Sequence, residues 1–452
     1  MCKTIKNFIN FVTIIATVLA VSCQSEIDVP VMPDIDTNIV TSDSFVTFDK
    51  AISNANFVYK NIDNEHKRKI QDVKLLTRSD INSTSTRSSS QEEPLAYVVN
   101  YKNEQGFAIL AATDDLPPII ALGDSGRFSI DKFIEYVSGN ITRSNEDDLC
   151  PEQELQYEII NNSLNLTVER GLGPSITLGN PTDTTILLKC MPLVPVKWGQ
   201  WAPYNKYSPV ISGTLCPAGC VPVAYAQSLA SLCYHHNYRP SVQINSEYPV
   251  DWYTINQIIA ADTIKYESYQ DTPGSRNVAK LIRAIGNEIN ATYTPTGTSA
   301  YDTDAMRMYN KIGLRNVQIK YNNDPEIISH LFSMIVDKNY PVNCHASRIE
   351  EDGDIIGHCF NADGWLRLQY TNDIIGNVTV NGQTSIGVDH VQYKFDLLHI
   401  NFGWSGTGDG YYLPGAFDTS SDTFDEYKEE NDSDTSMNRN YNLNVRYVTF
   451  EL

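Results

Sequence analysis

Nine cysteines and eight histidines are the side chains in this sequence best suited to nucleophilic chemistry. The cysteines stand at 2, 23, 150, 190, 216, 220, 233, 344 and 359. Their spacing matches no tight zinc pattern, and CxxC does not occur, so no metal site is expected. One of them has a distinctive setting. Pro217-Ala218-Gly219-Cys220-Val221-Pro222-Val223-Ala224-Tyr225-Ala226-Gln227 is a turn sequence that leads into an apolar run ending near Cys233. Apolar residues on every face predict a helix buried on most sides. Pro222 fits such a helix only in its first turn, where the missing N–H is an orphan anyway. Cys220 is therefore expected at the helix start. The unpaired amides and the dipole there favour an anion, so an attacking thiolate belongs there, and its own N–H can face the oxyanion it creates. The plain alternative is a core cysteine.

A nucleophilic cysteine needs a base, and the histidines stand at 66, 235, 236, 330, 345, 358, 390 and 399. His66 falls in an N-terminal unit. His235 and His236 close the Cys220 helix, far from its start, and suit the negative end of the dipole. His358 follows Gly357, which permits close backbone approach, and opens Cys359-Phe360-Asn361-Ala362-Asp363-Gly364-Trp365. His399 introduces Ile400-Asn401-Phe402-Gly403-Trp404-Ser405-Gly406, a strand running into a Gly/Trp turn. His358 is the expected base. Cys359, next to it on a strand, should point the opposite way and serve the core.

Around these residues the chain divides into segments. Lys3 and Lys6 precede an apolar stretch over 8–21, too short to span a bilayer comfortably and suited to a signal-peptide core. It ends in Ala20-Val21-Ser22-Cys23, which resembles a bacterial lipobox with Cys23 as the lipidated residue; ordinary cleavage at Ser22 is the alternative. Residues 23–43 read as a tether. Residues 44–170 read as a small α+β unit. It begins with a part-helical stretch and a Ser/Thr-rich loop over 79–90, followed by a hairpin from Ala96–Tyr101 through Asn103-Glu104-Gln105-Gly106 to Phe107–Ala112. Residues 171–196, with Pro174, Pro181, Pro192 and Pro195, read as a loose linker, and Arg170, Lys189 and Leu187-Leu188 are candidate cut positions. All five tryptophans lie beyond it. No later apolar run reaches 18 residues, so the remainder is read as soluble.

The motifs, taken together, are specific. Gly-Cys at a helix start, Gly-His-Cys-Phe-Asn-Ala-Asp-Gly, and His-Ile-Asn-Phe-Gly-Trp-Ser-Gly followed by Asp409-Gly410-Tyr411-Tyr412 resemble the streptopain family of papain-like cysteine peptidases. Trp198-Gly199-Gln200-Trp201-Ala202-Pro203-Tyr204-Asn205 resembles that family's oxyanion-glutamine segment, and the N-terminal hairpin resembles its inhibitory pro-domain. The resemblance implies an α+β fold: a two-subdomain catalytic domain over 197–452, one half helical and the other antiparallel β, preceded by a pro-domain over 44–170. It implies Cys220 as nucleophile and His358 as base, with Gln200 on the oxyanion. Asn401 would hold the second imidazole nitrogen, and Trp404 would shield that bond. It implies no cofactor. The implied partners are protein or peptide substrates and the chain's own pro-domain. Pro222, Cys359, Phe402 and the long stretch 364–393, read as an inserted hairpin, depart from the family pattern without removing a catalytic group.

Composition narrows the classes further. Apolar residues make up 41% and charged residues 20%, a globular balance. Acidic residues outnumber basic ones 55 to 34, a net charge of −21 that repels phosphate backbones and argues against nucleic acid. Residues 421–434 hold seven acidic side chains and one Lys, read as a solvated loop with a cation site as the alternative. The expected protein is an exported zymogen of a cysteine endopeptidase, held to the bacterial outer membrane through Cys23, on its periplasmic or outer face, and released by cleavage. A binding or inhibitory lipoprotein of the same fold, and a transglutaminase-like acyl transferase, are the alternatives.

Overall fold

The computed structural model describes residues 45–63, 68–81, 93–114, 116–138, 151–165, 176–242, 249–260, 272–321, 324, 326–349, 355–380, 383–414 and 445–452. The stretch read as a signal segment, Cys2, Cys23, His66, Cys150, Arg170, the acidic stretch 421–434 and most of the Ser/Thr-rich stretch 79–90 lie outside them, as does the His390 side chain. The described residues form one compact unit.

The N-terminal part begins with helix Phe48–Ile62, whose apolar spacing puts Ala51, Ala55, Val58 and Tyr59 in the core. Four antiparallel strands follow: β1 (Ile70–Thr77), β2 (Pro94–Tyr101), β3 (Phe107–Ala111) and β4 (Ile119–Gly123). The β2–β3 connection is the expected hairpin. Gly106 is required there. Its φ is +97°, and a Cβ would lie 2.0 Å from the Gly123 carbonyl oxygen. Helices Ile130–Val137 and Pro151–Leu164 come next.

Residues 176–190, read from the sequence as part of a loose linker, instead form a strand, β5 (Ile176–Cys190). Its partner is β12 (Ile355–Val380), whose 26 residues outrun β11 (Val342–Ile349) and leave an edge from Trp365 to Gly376 that β5 pairs antiparallel. Unpaired backbone on that edge is the physical reason for the order. Pro181, which cannot donate, sits between two register irregularities. Leu187, Leu188 and Lys189 are thus strand residues, and cutting there requires unpairing β5 first.

The C-terminal part contains two two-stranded ribbons, β6 (Val210–Ile211) with β7 (Thr214–Leu215) and β8 (Thr292–Tyr293) with β9 (Thr298–Ser299). It has a helical half: Cys220–His236, Trp252–Ala260, Pro273–Glu288 and Asp302–Lys311. Its sheet half adds β10 (Arg315–Tyr321), β13 (Gln383–Asn401), β14 (Gly410–Tyr412) and β15 (Arg446–Glu451) to β11 and β12. Over 364–393, the stretch read as an insertion, β12 and β13 form one long hairpin. The architecture is α+β, as expected. The sequence did not announce that both parts share one sheet. The order is β1-β2-β3-β4-β14-β13-β12-β11-β15-β10, and the seam is Gly410↔Gly123, Tyr411↔Leu122, Tyr412↔Ala121. Among the described residues no helix is long and apolar enough to cross a membrane.

Candidate active site

Cys220 is the first residue of helix Cys220–His236, and Val221 to Cys233 are all buried. Gly219 precedes it with φ +95°, and an added Cβ would lie 2.8 Å from Thr298. Only glycine suits that position, so the chain can turn sharply and present Cys220 at the helix start. Pro222 lies in the first turn. Asn237 in the left-handed region ends the helix, and its N–H donates to the Leu232 carbonyl.

Gln200 is fastened to the same turn, because the Ala218 N–H donates to the Gln200 carbonyl at 2.8 Å. Gly199 packs on Ser405, where a Cβ would meet the hydroxyl at 2.2 Å. His358, on β12 opposite Ala346, is buried, with the Cys220 side chain near enough to help hold it protonated. Its Nε2 lies 2.8 Å from the Phe402 carbonyl oxygen. A carbonyl only accepts, so Nε2 carries the proton and Nδ1 is left for exchange with the thiol.

The structure thus brings Cys220, His358 and Gln200 together. Asn401 requires a correction. Its side chain does not reach His358: Nδ2 donates to the Val196 carbonyl at 3.0 Å, and Oδ1 accepts from Gln227 Nε2 at 3.1 Å and from the Gly403 N–H at 3.0 Å. The Phe402 main chain takes the role expected of it. Asn401 instead braces the turn against the Cys220 helix. Trp404 lies two residues past Phe402, half-buried, and the bond it was expected to shield is absent. Substitution Asn401→Ala should therefore lower stability by about 1–3 kcal/mol, since it strands buried partners. The check is thermal unfolding beside turnover per folded molecule, with the second changed much less than the first.

Sequence reasoning missed the residue that fills this site. Glu152, in the first turn of helix Pro151–Leu164, places its buried Oε1 2.5 Å from Gln200 Nε2 and 3.7 Å from His358 Nδ1. Burial alone would push His358 down; the Glu152 charge, the Cys220 contact and the Phe402 carbonyl overcome it and raise His358 to about 9. Gln156, one turn on, donates to the Tyr412 hydroxyl at 2.8 Å. Nothing in the local sequence marks Glu152, which acts through residues about 50 and 200 positions downstream.

His399 belongs to a second cluster that also joins the two parts. Its Nδ1 lies 2.6 Å from Asp363 Oδ1 and its Nε2 3.1 Å from Asp124 Oδ2. Despite burial, these two carboxylates raise it to about 10. The other histidines lie elsewhere. His235 and His236 meet the Leu193 and Asn339 carbonyls, and His330 meets the Tyr447 hydroxyl. His345, which burial pushes down to about 4, lies 3.7 Å from buried Cys359. The described cysteines 190, 216, 220, 233, 344 and 359 form no disulfide among themselves. Among the described residues no cluster could hold a metal ion.

Residues 198–412, the stretch from the Trp198 segment to Tyr412, match the Peptidase C10 family model. Over these residues the chain is similar to the peptidase C10 family. The C10 segment contains Cys220, His358, Gln200, Asn401 and Trp404. Residues 43–139 match the model of the Spi protease inhibitor. Glu152 lies between the two matched segments, whereas Asp124 lies inside the inhibitor segment. Among solved structures, a fragment of prointerpain A from Prevotella intermedia with a cysteine-to-alanine substitution is 18% identical, covering 84% of this chain and 98% of its own, with a TM-score of 0.46. Active wild-type interpain A, a cysteine protease from Prevotella intermedia, is 20% identical, covering 58% of this chain and 95% of its own, with a TM-score of 0.37. No curated protein matches the chain. The two matches support a cysteine peptidase preceded by an inhibitor pro-domain.

Proposed function

We propose that the protein is an exported, lipid-anchored zymogen of a cysteine endopeptidase. Cys220 is the nucleophile and His358 the base. One observation carries the reading: an imidazole whose Nε2 is committed to a backbone carbonyl turns its other face to a cysteine at a helix start, beside a glutamine amide.

The chemistry follows from that placement. The thiolate of Cys220 attacks a peptide carbonyl, and the oxyanion is held by the Cys220 N–H and the Gln200 amide, each such donor worth about 3 kcal/mol. His358, protonated by the thiol, returns that proton to the leaving amine. Water then attacks the thioester with His358 as base, which releases the new carboxylate and the thiol.

In the uncut chain Glu152 occupies the Gln200 amide and faces the imidazole, which supports latency by occlusion. Lys3, Lys6, the apolar stretch 8–21 and Cys23 support export and a lipid anchor, so that cleavage past the pro-domain frees the enzyme from the membrane.

The test is active-site labelling. The chain is made at full length, allowed to process and incubated with an epoxide inhibitor of papain-like enzymes, and its peptides are weighed. One adduct on Cys220, with parallel loss of casein hydrolysis, is expected. Hydrolysis that survives the reagent, or an inert Cys220, overturns the reading in favour of a binding protein of this fold.

A further inference from the structure

His358 is held by a main-chain carbonyl, and a carbonyl is aimed only as firmly as its own residue is fixed. Phe402 stands between the end of β13 at Asn401 and a turn in which Gly403, Ser405, Gly406 and Gly408 all have positive φ. Three of those four residues are glycines, and a glycine-rich turn has no stiffness of its own. One side chain closes it from the far end. Asp409 Oδ1 accepts the Phe402 N–H at 2.9 Å. The carboxylate is buried, with the residue 1% exposed. Its residue is itself anchored, because the Asp409 N–H donates to the Gly406 carbonyl and the Asp409 carbonyl accepts the Asp124 N–H. Gly410 then enters β14, whose register on β13 is set by Ile400↔Gly410.

Phe402 is thus held on both sides. Its N–H is bound to Asp409 and its carbonyl to His358, while the Asn401 side chain caps the next residue, Gly403. We propose that Asp409 is a positioning residue for peptide hydrolysis: by holding the Phe402 N–H it fixes the carbonyl that orients the His358 imidazole toward Cys220. The inference rests on the reading of His358 as the base.

The groups facing Asp409 suit this role. Burial pushes its carboxyl up to about 7, against the pull of Lys197 and His399, while Asp124 adds to the rise. Both protonation states keep an oxygen able to accept from the Phe402 N–H. Charge is therefore dispensable and the acceptor is not, which makes asparagine the informative replacement.

The experiment uses the full chain after maturation, with active sites counted by an epoxide inhibitor. For Asp409→Ala, kcat should fall roughly 10- to 100-fold with KM within about twofold, as expected when a reacting group is misplaced by a fraction of an ångström. The alkaline limb of the kcat/KM profile should move to lower pH. The Phe402 carbonyl is among the groups that raise His358, and a loosened carbonyl raises it less. Asp409→Asn should recover most of the loss. If the alanine variant does not fold, Asp409→Ser, smaller than the parent but polar, is expected to show the same kcat loss and the same limb shift. A parental kcat and limb in the alanine or serine variant overturns the inference, as does a loss confined to KM or an asparagine variant no better than alanine. A parent without Cys220-dependent hydrolysis overturns instead the reading beneath it.

Discussion

Cys220→Ala should leave the chain at full length and lower peptide hydrolysis by on the order of a thousandfold or more, while Cys216→Ala and Cys233→Ala keep parental turnover. The structure separates these thiols physically. Cys216 is buried and its carbonyl is bound by the Asn205 amide. Cys233 lies inside the helix that Cys220 begins, and burial pushes its thiol up. Burial does the same to Cys190, Cys344 and Cys359. A thiol held in its neutral form is a poor nucleophile. Cys220 is half-buried, sits at the positive end of a helix, and faces an imidazole with its second nitrogen already anchored. The measurement is the size of the purified chain over time, together with hydrolysis of an added protein substrate. Parental processing and hydrolysis in Cys220→Ala would remove Cys220 from the mechanism; a matching loss in Cys216→Ala would show that fold, rather than nucleophilicity, was being read.

The parts of this site that were legible in the sequence are those encoded locally. Gly219 before Cys220, Pro222 in a first turn and a largely apolar run fix a buried helix with a cysteine at its start, whatever surrounds it. The β2–β3 hairpin was legible for the same reason, through Asn103 and Gly106. Asn401 was misassigned because the group that binds His358 is a carbonyl. Every residue has one, so no side-chain pattern marks Phe402. This also explains how Phe can stand there: its contribution to His358 is made by the main chain. The strand β5 was misread because its prolines were weighed locally, whereas its order comes from an edge left by β12 some 180 residues later. Glu152 and Asp124 were invisible for the most basic reason. A carboxylate in a helix turn or at a strand end reads as solvent-facing until the fold brings an amide or an imidazole to it. In the same way, the seam between β4 and β14 is a pairing of ordinary strands across nearly 300 residues, and only the assembled sheet shows that the inhibitor segment docks by extending the enzyme's own sheet.

Substitution Glu152→Ala should shorten the life of the uncut chain at pH 7 by roughly tenfold or more, because it frees the Gln200 amide and removes the anion facing His358. The effect is large because a single carboxylate makes both contacts, and because a buried charge pair is weakened strongly when one member is removed. The sign of its pH dependence follows from His358. In the uncut chain Glu152 helps raise His358 to about 9, so the attraction is present while the imidazole is charged and is lost as pH rises through that value. His399, raised to about 10 between Asp363 and Asp124, gives a second cross-part pair that outlasts the first on the alkaline side. Catalysis has its own pH dependence, so the ratio of the variant's processing rate to the parent's is the useful quantity. That ratio should be tenfold or more at pH 7 and smaller above pH 9, where the parent has lost the His358 attraction but keeps the Gln200 contact. Glu152→Gln, uncharged but still able to accept from Gln200, should fall between the two. Band intensities on a gel, followed from pH 6.5 to 9.5 at fixed ionic strength, give all three rates. Equal processing of parent and Glu152→Ala across that range would show that latency comes from the sheet seam at β4 and β14 alone, with the carboxylate a bystander in the site.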